Sequence, residues 1–244
     1  MLHRVFCESL QSDNVVIDDA EAHHLLHVLR LKTGHCISLF DGSGTEADAT
    51  ITHSSRREVF CTVTYRRQTP KAAFVRLTVI AAPPKAERLK WMVEKLTEIG
   101  VERLILLESE RTVVTPGESR VDRLRSSVIS ACKQCRRNVL MQLSPLQSLA
   151  SVLEDVTSGR LVGELRIAHP SPLSLLVPSC ATTHSGERLL LIGPEGGFTE
   201  AEVESAINAG AVLMSWPSTI LRVETAAIVF ASQLLADQRE SAIF

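Results

Sequence analysis

The spacing of hydrophobic residues changes near residue 70. On the N-terminal side, short apolar runs are separated by turn residues such as Asp41–Gly44. This pattern predicts strands of a small β-barrel over residues 15–17, 36–40, 46–51 and 59–65. Between the first two runs, Leu25, Leu26 and Leu29 recur on one face and predict a helix over 21–30, which Gly34 ends.

Beyond residue 72, strand-like apolar runs alternate with segments of helical spacing. Strands are predicted over 75–82, 103–107, 161–167, 189–192 and 212–215, and helices over 87–99, 121–135, 146–153, 199–209 and 224–236. Such alternation predicts an α/β domain with a mostly parallel sheet covered by helices on both faces. The polar, proline-containing stretch 66–71 is the expected boundary between a domain over 1–70 and a second domain over 73–244.

The most informative segment is Leu189–Phe198, which reads LLLIGPEGGF. An apolar run opens there into a glycine-rich turn, and a helix start follows at Thr199. Glycine lets main-chain groups approach a ligand closely because it has no Cβ. Ligands of parallel sheets bind beyond the carboxyl ends of the strands. The turn therefore predicts one wall of a ligand site, and Ile220–Ala227, reading ILRVETAA, predicts a second wall.

Composition limits the classes of function. The chain has 244 residues, of which 45% are hydrophobic, so it can bury sizeable cores. Its 26 basic and 28 acidic side chains leave a net charge of −2, which excludes a globally basic nucleic-acid-binding protein but allows local basic patches. Because the sequence shows neither a long apolar run nor a secretory signal, we expect a soluble cytoplasmic protein with no membrane partner. The six cysteines are scattered, as reduced thiols are.

Two groupings of possible metal ligands do not predict a metal site. Cys132 and Cys135 form a single CxxC pair on a predicted helix, with no second pair or suitably spaced histidine. His23, His24 and His27 crowd near one helix start, where contact with RNA is the alternative. We therefore expect no metal. Basic residues also cluster in the N-terminal domain and around the helix predicted over 121–135. They form either a solvated face or contacts with phosphates.

Several motifs recur together in one known family. The segments IGPEGGFTEAEV at Ile192–Val203 and ILRVETAA at Ile220–Ala227 form its signature. Upstream elements match in order and spacing at Arg4 and Phe6; at His24, Leu29, Arg30 and Gly34; at Lys85, Trp91, Lys95, Glu98, Gly100 and Val101; at Ser109, Glu110 and Arg111; and at Gln134 and Arg137. In these features the chain resembles the RsmE family of the SPOUT superfamily of S-adenosylmethionine-dependent RNA methyltransferases.

The resemblance implies a fold, a reaction and partners. The fold is α/β, with a C-terminal SPOUT domain that carries a deep trefoil knot and a small N-terminal PUA-like β-barrel that binds RNA. The reaction is methylation of N3 of a single uridine, uridine 1498, in the 16S rRNA of the small ribosomal subunit. The cofactor is S-adenosyl-L-methionine, and the protein is a homodimer through its knotted domain.

The resemblance also implies site residues. The cofactor is expected to bend against the two walls, contacting Ile192, Gly193, Glu195, Gly196, Gly197, Ser215, Trp216, Pro217, Thr219, Ile220 and Leu221. RNA contacts are expected from Arg4, His24, Arg30, Lys32, Lys85, Arg111, Gln134, Arg137 and Asn138. Glu195 could also act chemically, but a carboxylate near a helix N-terminus is more often a helix cap or an inter-subunit salt-bridge partner.

The chemistry predicts arginines at the reacting base. Uridine N3 must lose its imide proton, so the site needs a general base or a cationic environment that favours the anion. Arginine stays charged and can hydrogen-bond two carbonyl oxygens with its planar fork. Arg222, Arg137 and Arg111 are the expected catalytic residues, in that order.

Departures from the family pattern leave alternatives open. Trp216, Pro217, Ser218 and Thr219 stand where the family has LGxR. The protein could instead be a SPOUT methyltransferase acting on another base or on a ribose 2′-OH, or an RNA-binding ribosome-assembly protein that has lost catalysis. Binding of S-adenosylmethionine separates the enzymes from the last alternative.

Overall fold

The computed structural model describes residues 2–69, 76–169, 186–216 and 219–241. Within these stretches the chain forms two compact units. The first unit combines the N-terminal segment with residues 129–140, and the second contains 76–128 and the described residues from 141 onwards. The sequence prediction had assigned 129–140 to the second domain.

The first unit contains a five-stranded mixed sheet. Its strands are β1 (His3–Phe6), β2 (Asn14–Ile17), β3 (Cys36–Phe40), β4 (Thr45–Ser54) and β5 (Val59–Gln68), in the order β1-β3-β4-β5-β2. Only β1 and β3 pair in parallel. The expected strands and helix are present, whereas the short β1 was not predicted. Closure of this sheet into a barrel stays a prediction.

Buried apolar residues alternate with more exposed polar residues along β4, which explains how the first sheet buries one face. Ala47, Ala49 and Ile51 of β4 are buried and are separated by half-buried polar residues, as expected of a strand with one face on a core. Helix α1 (Asp19–His23) continues into a π-helical turn over His24–Val28, and Leu25 of that turn joins the same core.

Residues 129–140 belong to the first unit because their last residues pair with the β3–β4 turn. The amide of Leu140 donates to the carbonyl of Gly42 at 2.9 Å, and the amide of Gly44 donates to the carbonyl of Asn138 at 3.1 Å. Gly42 has a φ of +75°, and a Cβ there would lie 2.6 Å from Cγ of Leu140. Only glycine permits both this backbone conformation and this close approach.

The second unit contains a six-stranded sheet that is entirely parallel. Its strands are β6 (Arg76–Ala81), β7 (Arg103–Glu108), β8 (Gln142–Ser148), β9 (Glu164–His169), β10 (Glu187–Ile192) and β11 (Val212–Ser215), in the order β11-β9-β10-β6-β7-β8. The helices after α1 are α2 (Ala86–Ile99), α3 (Glu118–Cys135), α4 (Leu149–Thr157), α5 (Glu200–Asn208) and α6 (Val223–Ser241). The predicted parallel α/β sheet is therefore confirmed.

Two elements differ from the sequence prediction. The helix expected over 146–153 begins only at Leu149, because the side chain of Ser148 caps α4 by accepting from the amide of Ser151. Residues before it form the unpredicted β8, a partly exposed edge strand that tolerates Pro145. The strand expected over 161–167 is displaced toward the C-terminus and spans Glu164–His169.

Helices cover both faces of the parallel sheet. Side chains such as Ile105, Ile167 and Leu191 pack in one cluster with residues of α4 and α5. Leu190 is one residue away from Leu191 in β10, so its side chain lies on the opposite face of the sheet, and it is also buried. Helix α6 packs on β6, β10 and α2. Coverage of both faces was predicted from the alternation of elements. Among the described helices, none has the length and apolar character needed to cross a membrane.

Cysteine labelling tests the packing of the first sheet. Burial raises the pKa of the Cys7 thiol to about 12 and that of Cys61 to about 11, whereas Cys36 is exposed. Because the thiolate is the reactive form, we expect iodoacetamide to alkylate Cys36 at least about tenfold faster than the other two in the folded protein. Peptide mass spectrometry measures each rate, and unfolding in denaturant should make the three rates similar. Rapid alkylation of Cys7 or Cys61 before unfolding would contradict this packing.

Candidate functional site

A cleft lies where β9 and β10 end. It encloses about 570 Å³, including its open mouth. The last residues of the two strands, the glycine-rich turn after β10, the segment before α6 and one face of α6 form its walls. The lining residues are Ala168, Ile192, Gly193, Pro194, Glu195, Gly197, Phe198, Trp216, Thr219, Ile220, Leu221, Val223, Ala226 and Phe230.

The cleft brings together most of the residues expected to hold a cofactor. Ile192, Gly193, Glu195, Gly197, Trp216, Thr219, Ile220 and Leu221 all line it. Gly196 and Ser215 are not lining residues, and Pro217 lies outside the described residues. The two segments that the sequence predicted as walls thus face one cavity.

The sequence prediction missed the apolar part of the lining. Val223, Ala226 and Phe230 follow one another at i, i+3 and i+7 on α6, a helical stripe that the sequence alone could have revealed. Ala168 could not be found in this way. It lies opposite Ile192 only because β9 pairs with β10 in this register.

The glycine-rich turn is tight and is fixed by local hydrogen bonds. The amide of Gly197 donates to the carbonyl of Pro194 at 2.8 Å. Thr199 and Glu202 then form a capping box, in which the amide of Glu202 donates to Oγ1 of Thr199 and the amide of Thr199 donates to Oε2 of Glu202. This box satisfies free amides at the start of α5 and fixes where the turn ends.

Gly193 makes room for a buried aromatic ring. A Cβ at this position would lie 3.0 Å from Cδ2 and Cε2 of Phe198, whose ring is buried and also lines the cleft. Gly196 differs, since a Cβ there would meet only the Arg111 side chain, at 3.3 to 3.4 Å. The two glycines therefore have separate structural roles.

Charged side chains surround the turn. Arg88 of α2 donates from Nη1 to Oε1 of Glu195 at 3.1 Å, and its Nε lies 3.7 Å from Oε1 of the buried Glu224. Glu195 therefore forms an ion pair within the chain, whereas the sequence had suggested a helix cap or a salt bridge between subunits. Arg111, which follows β7, donates from Nη1 to the carbonyl of Gly196 at 2.9 Å.

Arg222 precedes α6 directly. Its side chain is exposed, while its neighbours Leu221 and Val223 both line the cleft. Its carbonyl accepts from the amide of Ala226 at 2.8 Å, so the backbone of Arg222 is fixed at the start of the helix. Neither Arg222 nor Arg111 is a lining residue of the cleft, and their catalytic roles stay predictions. Lys85, at the N-terminus of α2, is also exposed.

The first unit joins the two segments in which most of the RNA contacts were predicted. Nζ of Lys133 in α3 donates to both carboxylate oxygens of Glu21 in α1, at 2.8 Å each. This ion pair places the exposed Gln134 near the helix that precedes His24. His24, Arg30 and Lys32 are exposed as well.

Arg4 and Asn138 are not placed as direct RNA contacts require. The Arg4 side chain is only 9% exposed, and its guanidinium donates to Glu46, to the carbonyl of Arg137 and to Oδ1 of Asn138. Nδ2 of Asn138 donates in turn to Oγ1 of Thr69 at 2.9 Å. Because these polar groups already have partners inside the unit, this enclosure argues against the predicted RNA contact for both residues.

Comparison with known proteins gives consistent matches over most of the chain. A family model described as an RNA methyltransferase domain matches residues 71–235, and one described as an RNA methyltransferase PUA domain matches residues 17–64. Ribosomal RNA small subunit methyltransferase E of Mycobacterium bovis is 31% identical over 88% of this chain and 83% of that protein. The protein of the same name from Bacillus subtilis is 26% identical over 86% of this chain and 85% of its own length.

Solved structures agree with the sequence matches. A crystal structure of ribosomal RNA small subunit methyltransferase E from Neisseria gonorrhoeae, bound to S-adenosyl methionine, superposes with a TM-score of 0.85. It is 26% identical and covers 97% of this chain and 98% of its own. A probable rRNA methyltransferase from Porphyromonas gingivalis superposes with a TM-score of 0.81 at 32% identity, covering 98% of this chain and all of its own.

A pair of glycine substitutions tests whether the cleft is the ligand site. In Gly193→Ala the new methyl group should displace the Phe198 ring into the cleft, and overpacking of this kind typically costs about 1–3 kcal/mol. We therefore expect the Kd for S-adenosylmethionine, measured by calorimetry, to rise at least about tenfold. Gly196→Ala is the matched control, because Arg111 can move aside, and its Kd should stay within about threefold of the wild-type value. Equal affinities in the two variants would contradict this assignment of the cleft.

Proposed function

The chain belongs to the family of the small-subunit ribosomal RNA methyltransferases E, and we propose on this basis that it transfers a methyl group from S-adenosylmethionine to 16S ribosomal RNA. The observation that carries the proposal is the cleft at the carboxyl ends of β9 and β10, whose two walls are the segments IGPEGG and ILRVETAA. Parallel α/β sheets bind their ligands in this position.

The residues of the cleft fit the cofactor. Phe198, Val223 and Phe230 offer apolar surface of the kind that a flat adenine ring needs. Gly193 and Gly197 expose main-chain groups that can hydrogen-bond the polar edges of the nucleoside. Trp216 and Thr219 line the same cleft, so the departure from the family pattern in this segment preserves a wall.

S-adenosylmethionine supplies an activated methyl group, which removes the need for a metal or a covalent nucleophile. The task left to the protein is to hold the base in line with the methyl group, exclude water and favour loss of the N3 proton. Arg222 and Arg111 are the groups of the second unit that we assign to this task. Arg137, the third arginine predicted from the sequence, belongs to the first unit. A guanidinium beside the base stabilises the N3 anion and so lowers the pKa of the imide.

The finer assignments complete the proposal. The target is N3 of one uridine, at position 1498 of the RNA, within the small ribosomal subunit. The first unit acts as a PUA-like RNA-binding barrel, and the protein works as a homodimer in the cytoplasm. A trefoil knot in the second unit is part of the same proposal and rests on membership of the family.

Substitution of Arg222 tests the mechanism. Arg222→Ala removes the cation but leaves the lining of the cleft intact, so we expect the Kd for S-adenosylmethionine to stay within about threefold of the wild-type value while kcat falls by at least about a hundredfold. Methyl transfer to small subunits from a deletion strain measures kcat. Arg160→Ala is the control, because this exposed arginine pairs with Asp155 and Glu154 away from the cleft. Near-normal turnover of Arg222→Ala would remove Arg222 from the mechanism.

Mass spectrometry of the 16S RNA tests the proposal as a whole. Loss of one N3-methyluridine in the deletion strain, restored by the wild-type gene, is the expected result. A different missing modification would indicate another SPOUT methyltransferase. If calorimetry detects no binding of S-adenosylmethionine, the protein is an RNA-binding protein without catalysis.

A further inference from the structure

Arg4 is an enclosed arginine of the first unit that the proposed mechanism does not use, and its side chain is only 9% exposed. Its Nη1 donates to Oε1 of Glu46 at 2.8 Å, and its guanidinium carbon lies 4.4 Å from the centre of the Phe40 ring. Burial lowers the pKa of Arg4 from its ordinary value, and the nearby Glu46 carboxylate opposes that shift. Enclosing a cation in this way is costly unless its hydrogen bonds are satisfied.

The other acceptors of Arg4 lie in the turn that ends α3. Its Nη2 donates to the carbonyl of Arg137 at 3.1 Å and to Oδ1 of Asn138. A planar guanidinium can hold a carboxylate on one side and two turn acceptors on the other without changing its conformation. Arg4 therefore connects β1 and β4 to the turn at Arg137.

This turn has a backbone conformation that needs support. Arg136 has a φ of +63°, in the left-handed region that glycine and asparagine prefer. The residue ends α3, and the chain then reverses so that the carbonyl of Asn138 accepts from the amide of Gly44. The contacts from Arg4, Thr69 and Gly44 all fall within the two residues after Arg136. These contacts hold the backbone of the turn in one conformation at Arg137.

We propose that Arg4 is a positioning residue that fixes the Arg136–Asn138 turn and thereby sets the orientation in which Arg137 meets the RNA. The inference rests on the proposed function, because it gives Arg137 its role at the RNA. It replaces the direct RNA contact expected for Arg4 from the sequence with an indirect role through the backbone of Arg137.

The test is a double-mutant cycle in which methyl transfer to unmodified small subunits is the readout. Arg4→Met keeps the length and apolar packing of the side chain but removes every hydrogen bond to the turn. We expect kcat/KM for the RNA to fall at least about tenfold, because small displacements of a positioned group are costly. The Kd for S-adenosylmethionine should stay within about twofold, because the cleft belongs to the second unit.

The cycle separates positioning from general stabilisation. If Arg4 acts through Arg137, adding Arg4→Met to Arg137→Ala should lower kcat/KM by less than about twofold further, since the two substitutions remove one effect. Arg67→Met is the matched control. Arg67 also lies beside Glu46, at 3.7 Å, and pairs with Asp48, but it is 45% exposed and none of its described contacts reaches the turn. Its kcat/KM should stay within about twofold of the wild-type value.

Two results would overturn the inference. One is a folded Arg4→Met variant with wild-type kcat/KM, and the other is a cycle in which the two effects multiply. If Arg4→Met does not fold, Asn138→Ala removes the side-chain bonds that Asn138 makes to Arg4 and Thr69 and leaves the pair between Arg4 and Glu46 in place. Wild-type kcat/KM in that variant would equally overturn the inference. A wild-type protein that does not methylate the RNA would instead contradict the proposed function, so the two failures are distinguishable.

Discussion

The pairing of β10 with a parallel neighbour on each side is the constraint on which the candidate site depends. Ile192 stands opposite Ala168 of β9 and Ala81 of β6, so β6 and β10 end at the same level and β9 ends one residue later. The amide of Ala82 then donates to the carbonyl of Ile192 at 2.9 Å, just before β10 gives way to Gly193. Because the ladder continues to the last residue of the strand, the glycine-rich turn starts from a rigid edge.

From that edge, packing and charge determine the shape of the cleft. The missing side chain at Gly193 admits the Phe198 ring, which also packs with the residues of α4 and α5. Arg88 lies between Glu195 of the glycine-rich turn and Glu224 at the start of α6. The exposed pair with Glu195 adds little to stability. The buried Glu224 matters more, since a carboxylate out of water needs a nearby cation. Arg88 thereby ties the start of α6 to α2.

The sequence predicted those features that depend on local spacing. Strand and helix types in both units follow from apolar periodicity, and the two walls of the cleft follow from the glycines and the ILRVETAA segment. The strand β8 escaped prediction because an exposed edge strand such as QLSPLQS has no apolar alternation. The lining residue Ala168 escaped because strand order in a sheet is not encoded locally. Direct RNA contact by Arg4 was expected because Arg4 is a basic residue in a family motif. The sequence does not show that its guanidinium faces the half-buried carboxylate of Glu46.

Arg4 differs from Arg111 and Arg222 in its surroundings, and burial explains the difference. In the second unit, the side chains of Arg111 and Arg222 are exposed, so a ligand can reach them, although Arg111 also donates to the carbonyl of Gly196. In the first unit, Arg4 is enclosed by Glu46, Phe40 and the turn after α3, so both of its terminal guanidinium nitrogens bind acceptors inside the unit. A charged side chain near a candidate site therefore supports chemistry only where its polar atoms are free for a ligand. Where its polar atoms already have partners, it instead fixes the conformation of the residues to which it donates hydrogen bonds.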